Sequence, residues 1–282
     1  PTADAPADVS SCDSYVLPAL SAGNNYYTAA NGGGTLLSAG DVISTTQTIY
    51  VFTETGTTPN CTDENSFVVT INNTPGQSGP IELTHCDPDA DGFGTFDLGS
   101  VVTQISSGNP NIEVLFFETF ANAQNQVNDL PLQYDNIMQN SQIIYYTAED
   151  LTTGCSAIYQ LQLIVYPTPQ ILDVPTTIEI CDNATADGFA SFDLTTNNTQ
   201  ILNGLDPANY EITYYTSQAN AEAPLNPITT PTAYNNTTAF NQTVWVRVED
   251  DPNPTGVTNG CYSVVAMNLV VNENPVLVQP DP

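Results

Sequence analysis

The chain has 282 residues and carries 31 acidic side chains against one basic side chain, Arg247, for a net charge of −30. Phosphate backbones and anionic bilayers are held through Lys and Arg, so this balance argues against nucleic acid and against lipid surfaces as partners. No apolar run is long enough to span a bilayer, which argues against membrane insertion.

The first eight residues, rich in Pro, Ala and Asp, read as a linker. A first repeat then occupies about residues 9–74. It runs from Cys12 through Asn25-Tyr-Tyr-Thr28, a glycine turn at Gly32–Gly34 and the alternating strand Thr48–Thr53 to Cys61 and the strand Phe67–Ile71. The stretch from Asn72 to Pro80 has the composition of a linker. The second repeat, 78–168, opens with Cys86-Asp-Pro-Asp-Ala-Asp-Gly-Phe-Gly-Thr-Phe-Asp-Leu98. The third, 170–273, opens with Cys181-Asp-Asn-Ala-Thr-Ala-Asp-Gly-Phe-Ala-Ser-Phe-Asp-Leu194. The two cysteines are 95 residues apart (181 − 86), and self-similarity at a fixed period marks an array of small domains. Residues 274–282 read as a linker toward a further repeat. Short segments rich in Val, Ile, Thr and Tyr, separated by Gly, Pro, Asn and Asp, predict an all-β fold of tandem immunoglobulin-like sandwiches. Only Phe120–Asn125 and Gln218–Ala223 suggest a helical turn or a polar loop.

The six cysteines fall two per repeat: Cys12 and Cys61, Cys86 and Cys155, Cys181 and Cys261. About 15 connectivities are open to six cysteines. A modular array favours closure within each repeat, so Cys12–Cys61, Cys86–Cys155 and Cys181–Cys261 are the expected bonds, with metal binding by the thiols as the weaker alternative. Disulfides need an oxidising compartment, so an exported protein is expected.

Asp87, Asp89 and Asp91 before Gly92 place hard oxygen ligands on one tight loop, a pattern suited to Ca2+, with Asp97 as a further ligand. Glu149 and Asp150 would join that loop if Cys86 bonded Cys155. The third repeat offers Asp182, Asp187 and Asp193, with Asn183 among them. The competing reading is an Asp-Gly turn whose aspartates bond their own backbone. The pairs Tyr26-Tyr27, Tyr145-Tyr146 and Tyr214-Tyr215 suit either a sugar-stacking platform or, as strand alternation favours, one ring in the core and one outside. Trp245 reads as core, Arg247 as the partner of a nearby carboxylate, and His85 as an isolated linker residue. With no lysine, one histidine and no nucleophile motif, the chain does not read as an enzyme.

The segments Cys12–Pro18, Ile49–Gly56 and Cys61 resemble repeats of very large surface proteins from gliding Bacteroidetes. The Asp-Gly-Phe-x-x-Phe-Asp-Leu elements and Val244–Val248 are similar to a sister repeat in those proteins. The resemblance implies export by type IX secretion and display as an adhesin or filament on the cell surface. On that basis the expected function is a structural stalk for attachment or motility. Its partners would be neighbouring repeats, identical chains in a filament, and a cell-surface or glycan target. The alternative is a calcium-dependent, carbohydrate- or surface-binding module.

Overall fold

The computed structural model describes residues 1–76, 79–250 and 259–275. The end of the expected final linker, from residue 276, lies outside the described residues. Strands follow the alternation of apolar and polar residues. In the first repeat they are β1 (Val9–Cys12), β2 (Tyr15–Val16), β3 (Asn24–Ala29), β4 (Gly33–Leu37), β5 (Val42–Ile43), β6 (Gln47–Glu54) and β7 (Thr62–Asn72). The second holds β8 (Ile81–Asp87), β9 (Thr95–Asp97), α1 (Val102–Ile105), β10 (Ile112–Phe117), α2 (Phe120–Asn125), β11 (Gln133–Asp135), β12 (Ser141–Asp150) and β13 (Cys155–Pro167). The third holds β14 (Ile178–Cys181), β15 (Ser191–Phe192), α3 (Asn198–Ile201), β16 (Tyr210–Tyr215), α4 (Gln218–Glu222), β17 (Tyr234–Asn235), β18 (Asn241–Asp250) and β19 (Tyr262–Asn272). The fold is all-β, built of tandem immunoglobulin-like sandwiches.

Contacts divide the chain into two compact units. One comprises Pro1–Ile81, Asp97–Tyr134 and Ile143–Gln162; the other comprises Glu82–Phe96, Asp135–Gln142 and the described residues from Leu163 onward. In the first unit a sheet of order β1-β7-β6-β3-β4 faces the small β2-β5 pair. Ile49 and Val51 from β6, Phe67 and Val69 from β7, Ile43 from β5 and Leu17 fill the space between. Each such side chain contributes about 1.5–3 kcal/mol when fully buried. Ala3 belongs to this core, its amide donating to Asp63 Oδ2 at 2.8 Å, so the leader expected as a linker packs on the first repeat.

In the second unit a sheet of order β14-β19-β18-β16 faces the β15-β17 pair. Val244, Val246 and Val248 alternate inward along β18 and meet Phe192 and Tyr234 from the opposite layer. The second repeat's sheet has the order β10-β12-β13-β8.

Two further features depart from the sequence reading. Each Phe-Asp-Leu element runs from a short strand into a helical turn, a 3-10 turn over Leu98–Val101 leading to α1 and one over Leu194–Asn197 leading to α3. His85 lies within β8, its ring 5.8 Å from Phe96, rather than in a linker.

Candidate functional site

The first and last strands of a repeat run parallel. β1 pairs with β7 so that Cys12 faces Asn72, and β14 pairs with β19 so that Cys181 faces Asn272. In both places the next aspartate amide closes the ladder, Asp13 on the Asn72 carbonyl at 2.7 Å and Asp182 on the Asn272 carbonyl at 2.8 Å. The second cysteine stands at the other end of that last strand, Cys61 just before β7 and Cys261 just before β19. Eleven residues separate Cys61 from Asn72 (72 − 61), and the same number separates Cys261 from Asn272 (272 − 261). Extended strand advances about 3.3 Å per residue, so the two cysteines of one repeat stand roughly 36 Å apart. Disulfides need Cα atoms within about 7 Å. Closure within a repeat is therefore geometrically impossible in the first and third repeats.

The bonds instead join consecutive repeats. Cys12 bonds Cys155 with Cα atoms 5.6 Å apart, and Cys86 bonds Cys261 at 5.4 Å. The expected pairings Cys12–Cys61, Cys86–Cys155 and Cys181–Cys261 are thus overturned, and Cys61 and Cys181 are free and exposed. Closure within a repeat requires both cysteines at one end of the domain, whereas the parallel first strand carries the first cysteine to the far end. Both bonds share one register, the first cysteine of a repeat with the second cysteine of the next.

A hydroxyl of each later repeat's last strand also holds the connecting segment. Tyr159 donates to the Pro75 carbonyl at 2.6 Å, and Ser263 donates to the Pro169 carbonyl at 2.7 Å. At the second junction Thr168 N–H reaches the Asp87 carbonyl at 2.8 Å, and the Gln170 side chain reaches the Pro88 carbonyl at 3.1 Å.

The acidic loops are built beside the first cysteines. Asp87, only 1 % exposed though covered by a thin surface loop, accepts from the amides of Gly92 at 2.7 Å, Ala90 at 3.0 Å and Asp89 at 3.2 Å. Burial pushes its carboxyl up, but these amides and a hydrogen bond with Asp89 outweigh that and hold it below the usual carboxylate range. The same shared bond, with the nearby Asp91 charge, raises Asp89. One ligand oxygen from each of Asp87, Asp89 and Asp91 lies within 4.8 Å of the others, the one such group among the described residues. Asp97 and Asp193 stand elsewhere, as N-caps whose carboxylates accept from Gly99 and Thr195 amides at 3.0 Å each. Asp182 accepts from Asn183 and Gly188 amides at 2.7 and 2.8 Å, and Asp187 from Phe189 at 3.2 Å. The Cys86–Cys155 bond that would have carried Glu149 and Asp150 to the loop does not form. Glu149 accepts from Gln126, and Asp150 folds onto Thr152.

The sequence reading missed two clamps. Asn136 accepts from Gly94 N–H at 2.7 Å and donates to the carbonyls of Gly92 and Met138 at 3.1 and 2.7 Å. Asn236 repeats this on Ala190, Gly188 and Thr238 at 2.8, 2.9 and 2.7 Å. Their signal was present as Tyr134-Asp-Asn136 and Tyr234-Asn-Asn236, each with a glutamine six residues later. Gln142 and Gln242 then accept from Ile137 and Thr237 amides.

Of the tyrosine pairs, Tyr26 and Tyr146 are buried while Tyr27 and Tyr145 are half-buried, as alternation predicts. Tyr214 and Tyr215 are both buried, because α4 folds against β16 and β18. Tyr145 packs edge-on against Phe120 at 5.7 Å, in an open cleft of about 620 Å³ that Pro80 and Tyr159 also line. Trp245 is half-buried rather than core.

A family model described as the Flavobacterium inter-domain disulphide bond domain matches residues 82–169 and again 177–275. No curated protein matches the chain. Among solved structures, an I-band fragment of titin is 10 % identical over 95 % of this chain and 96 % of its own, with a TM-score of 0.27. The first three extracellular domains of Drosophila N-cadherin are 10 % identical over 97 % and 99 %, at 0.23. Immunoglobulin domains 1–5 of Sidekick-1 are 13 % identical over 96 % and 58 %, at 0.28.

Proposed function

Because the chain belongs to the Flavobacterium inter-domain disulphide bond domain family, we propose that it is a structural segment of an extracellular surface protein, each repeat bonded covalently to the next so that the segment bears tension. It would act as a stalk for attachment or motility, reach the surface by type IX secretion, and carry out no catalysis. The carrying observation is the shared register of Cys12–Cys155 and Cys86–Cys261. A stalk outside the cell works without ATP-dependent refolding, so a bond that stops its joints from opening fits that task. The acidic surface keeps such chains apart and soluble.

Pulling single molecules tests this. From Cys12 to Cys261 the backbone counts 249 residues (261 − 12), but the shortest covalent route through both bonds is the 69 residues from Cys86 to Cys155 (155 − 86). At about 3.5 Å per residue the unfolded span is limited to roughly 240 Å, against roughly 870 Å once the bonds are reduced. Bonds within repeats would leave only the 25 residues from Cys61 to Cys86 and the 26 from Cys155 to Cys181, roughly 180 Å at the same rise. A long span without reductant, or the shortest one, would refute the proposal.

A calcium-dependent module is the second reading, favoured by the convergence of Asp87, Asp89 and Asp91. Hard oxygen donors of this kind suit Ca2+ at millimolar affinity in extracellular modules. Calorimetry of the whole chain with calcium chloride should show heat that Asp89→Asn with Asp91→Asn abolishes. No heat at millimolar calcium removes the reading.

A further inference from the structure

The second repeat carries an aromatic cleft that its fold does not require. Tyr145 and Phe120 meet edge-on, ring centroids 5.7 Å apart and planes inclined by 72°, so they form two walls of a corner rather than one flat shelf. Tyr159 lines the same cleft and is held at both ends, its hydroxyl on the Pro75 carbonyl and its ring 5.5 Å from that of the buried Tyr146. Phe120, the first residue of α2, leaves 50 % of its surface exposed. The third repeat shows what these positions need for folding. Phe120 follows the N-cap Thr119, and its counterpart after the N-cap Ser217 is Gln218. Tyr159 and Gln160 stand four and five residues after Cys155, and at the same steps after Cys261 stand Val265 and Ala266. Only Tyr145, fifth in β12, keeps an aromatic counterpart, Trp245, fifth in β18.

We infer that this cleft is a binding site for a neutral carbohydrate. Its volume of about 620 Å³ falls within the roughly 300–1,000 Å³ of small-ligand sites, and like them it joins aromatic walls to a few polar groups. No charged side chain lines it, in a chain of net charge −30. An anionic ligand, or a second copy of this chain, would meet like charge from the surrounding surface with no cation in the cleft to offset it. The Tyr145 hydroxyl and the Gln160 amide, both lining the cleft, have no hydrogen-bond partner among the described residues. A sugar ring matches this set. Its C–H face packs on an aromatic ring, and its hydroxyls can both donate to and accept from the amide and the phenol. Because Tyr159 is already fixed by Pro75 and Tyr146, less freedom is lost on binding. The site goes beyond the stalk reading, which needs no cleft, and it uses none of the acidic-loop aspartates.

Saturation-transfer NMR on the full chain tests this. Cellohexaose, laminarihexaose and mannohexaose serve as neutral probes, hexagalacturonate as an acidic one, and a proline- and arginine-rich peptide as the alternative, all millimolar and with EDTA present. At least one neutral sugar is expected to receive saturation, and hexagalacturonate none. Phe120→Gln combined with Gln160→Ala installs residues that the third repeat carries at the same positions, so the fold tolerates them. That variant should bind the responding sugar about tenfold more weakly, its Kd read by titration. Gln160→Ala alone, at an exposed position, tests the amide should the double variant melt early. Tyr145→Trp keeps a stacking face and should retain binding, whereas Tyr145→Ser should lose about tenfold. Saturation of none of the neutral sugars, preference for the acidic sugar or the peptide, or sugar binding that the cleft variants leave unchanged would overturn the inference. Sugar binding that appears only when calcium replaces EDTA would belong to the acidic loop and would overturn it as well. None of these outcomes bears on the inter-repeat bonds, so this inference and the stalk reading fail separately.

Discussion

Arg247, the chain's one cation, is 4 % exposed on β18 and holds the third repeat's helix to its sheet. Its Nη1 donates to the carbonyls of Ala221 at 3.1 Å and Glu222 at 3.3 Å, both in the last turn of α4, where carbonyls lack helical partners. Its Nε meets Glu249 Oε2 at 2.8 Å, and its guanidinium lies 3.4 Å from the Tyr262 ring centroid. Glu249 is paired across the ladder with Glu211, so without Arg247 two carboxylates face each other. The Glu249 pair is partly solvated and adds little. The two charge-assisted bonds to the helix carbonyls, the one to Ala221 buried and the one to Glu222 part-buried, and the cation–π contact add more, and together they put the cost of Arg247→Ala at about 3–5 kcal/mol. Arg247→Met keeps the stem packing and should cost about 2–3 kcal/mol, mainly the lost bonds. Trp245, the only tryptophan, lies two residues away on the same strand, so its fluorescence during urea unfolding reports this repeat. Stabilities within about 0.5 kcal/mol of the unaltered chain for both variants would refute the reasoning, since surface substitutions stay within that range.

Two further outcomes are expected. Asn136→Ala or Asn236→Ala removes three hydrogen bonds, one buried and two part-buried, from an Asp-Gly-Phe loop and should cost about 2–4 kcal/mol, read by thermal melting followed with circular dichroism; an unchanged melt would mean the clamps are idle. The Asp87 carboxyl is held below its unfolded value, so its contribution is present above about pH 4 and fades as pH falls through the folded value. The stability gap between the unaltered chain and Asp87→Ala, measured by urea unfolding, should therefore shrink between pH 7 and pH 3, and an equal gap at both would contradict this.

Much of the fold was legible because strand alternation and turn residues act locally. The apolar alternation of Val244, Val246 and Val248, and of Ile49 and Val51, announces an inward face without tertiary information. The helical turns after Phe-Asp-Leu were legible in principle. Asp97 is followed by Leu98, Val101 and Ile105, an acidic cap ahead of apolar residues at helical spacing, but the strand before it masked the signal. The leader was misread because one buried alanine, Ala3, outweighs a composition typical of linkers. The disulfide pairing was not legible. It depends on β1 lying parallel to β7 and on the 36 Å of strand between the two cysteines of a repeat, an estimate from strand rise. Counting two cysteines per repeat carries no information about which end of the domain each occupies. The aspartates were ambiguous for a related reason. Asp97 and Asp193 share their residue type with Asp87 but cap helices instead of joining its loop.

If consecutive repeats are joined twice, by backbone and by sulfur, then cutting the backbone between them must leave them together. The most direct measurement places a specific protease site between Thr74 and Gly79, cleaves the folded chain completely, and compares gels with and without reductant. The account predicts one full-length band without reductant, held by Cys12–Cys155, and two fragments with it. Two separate fragments without reductant would contradict it.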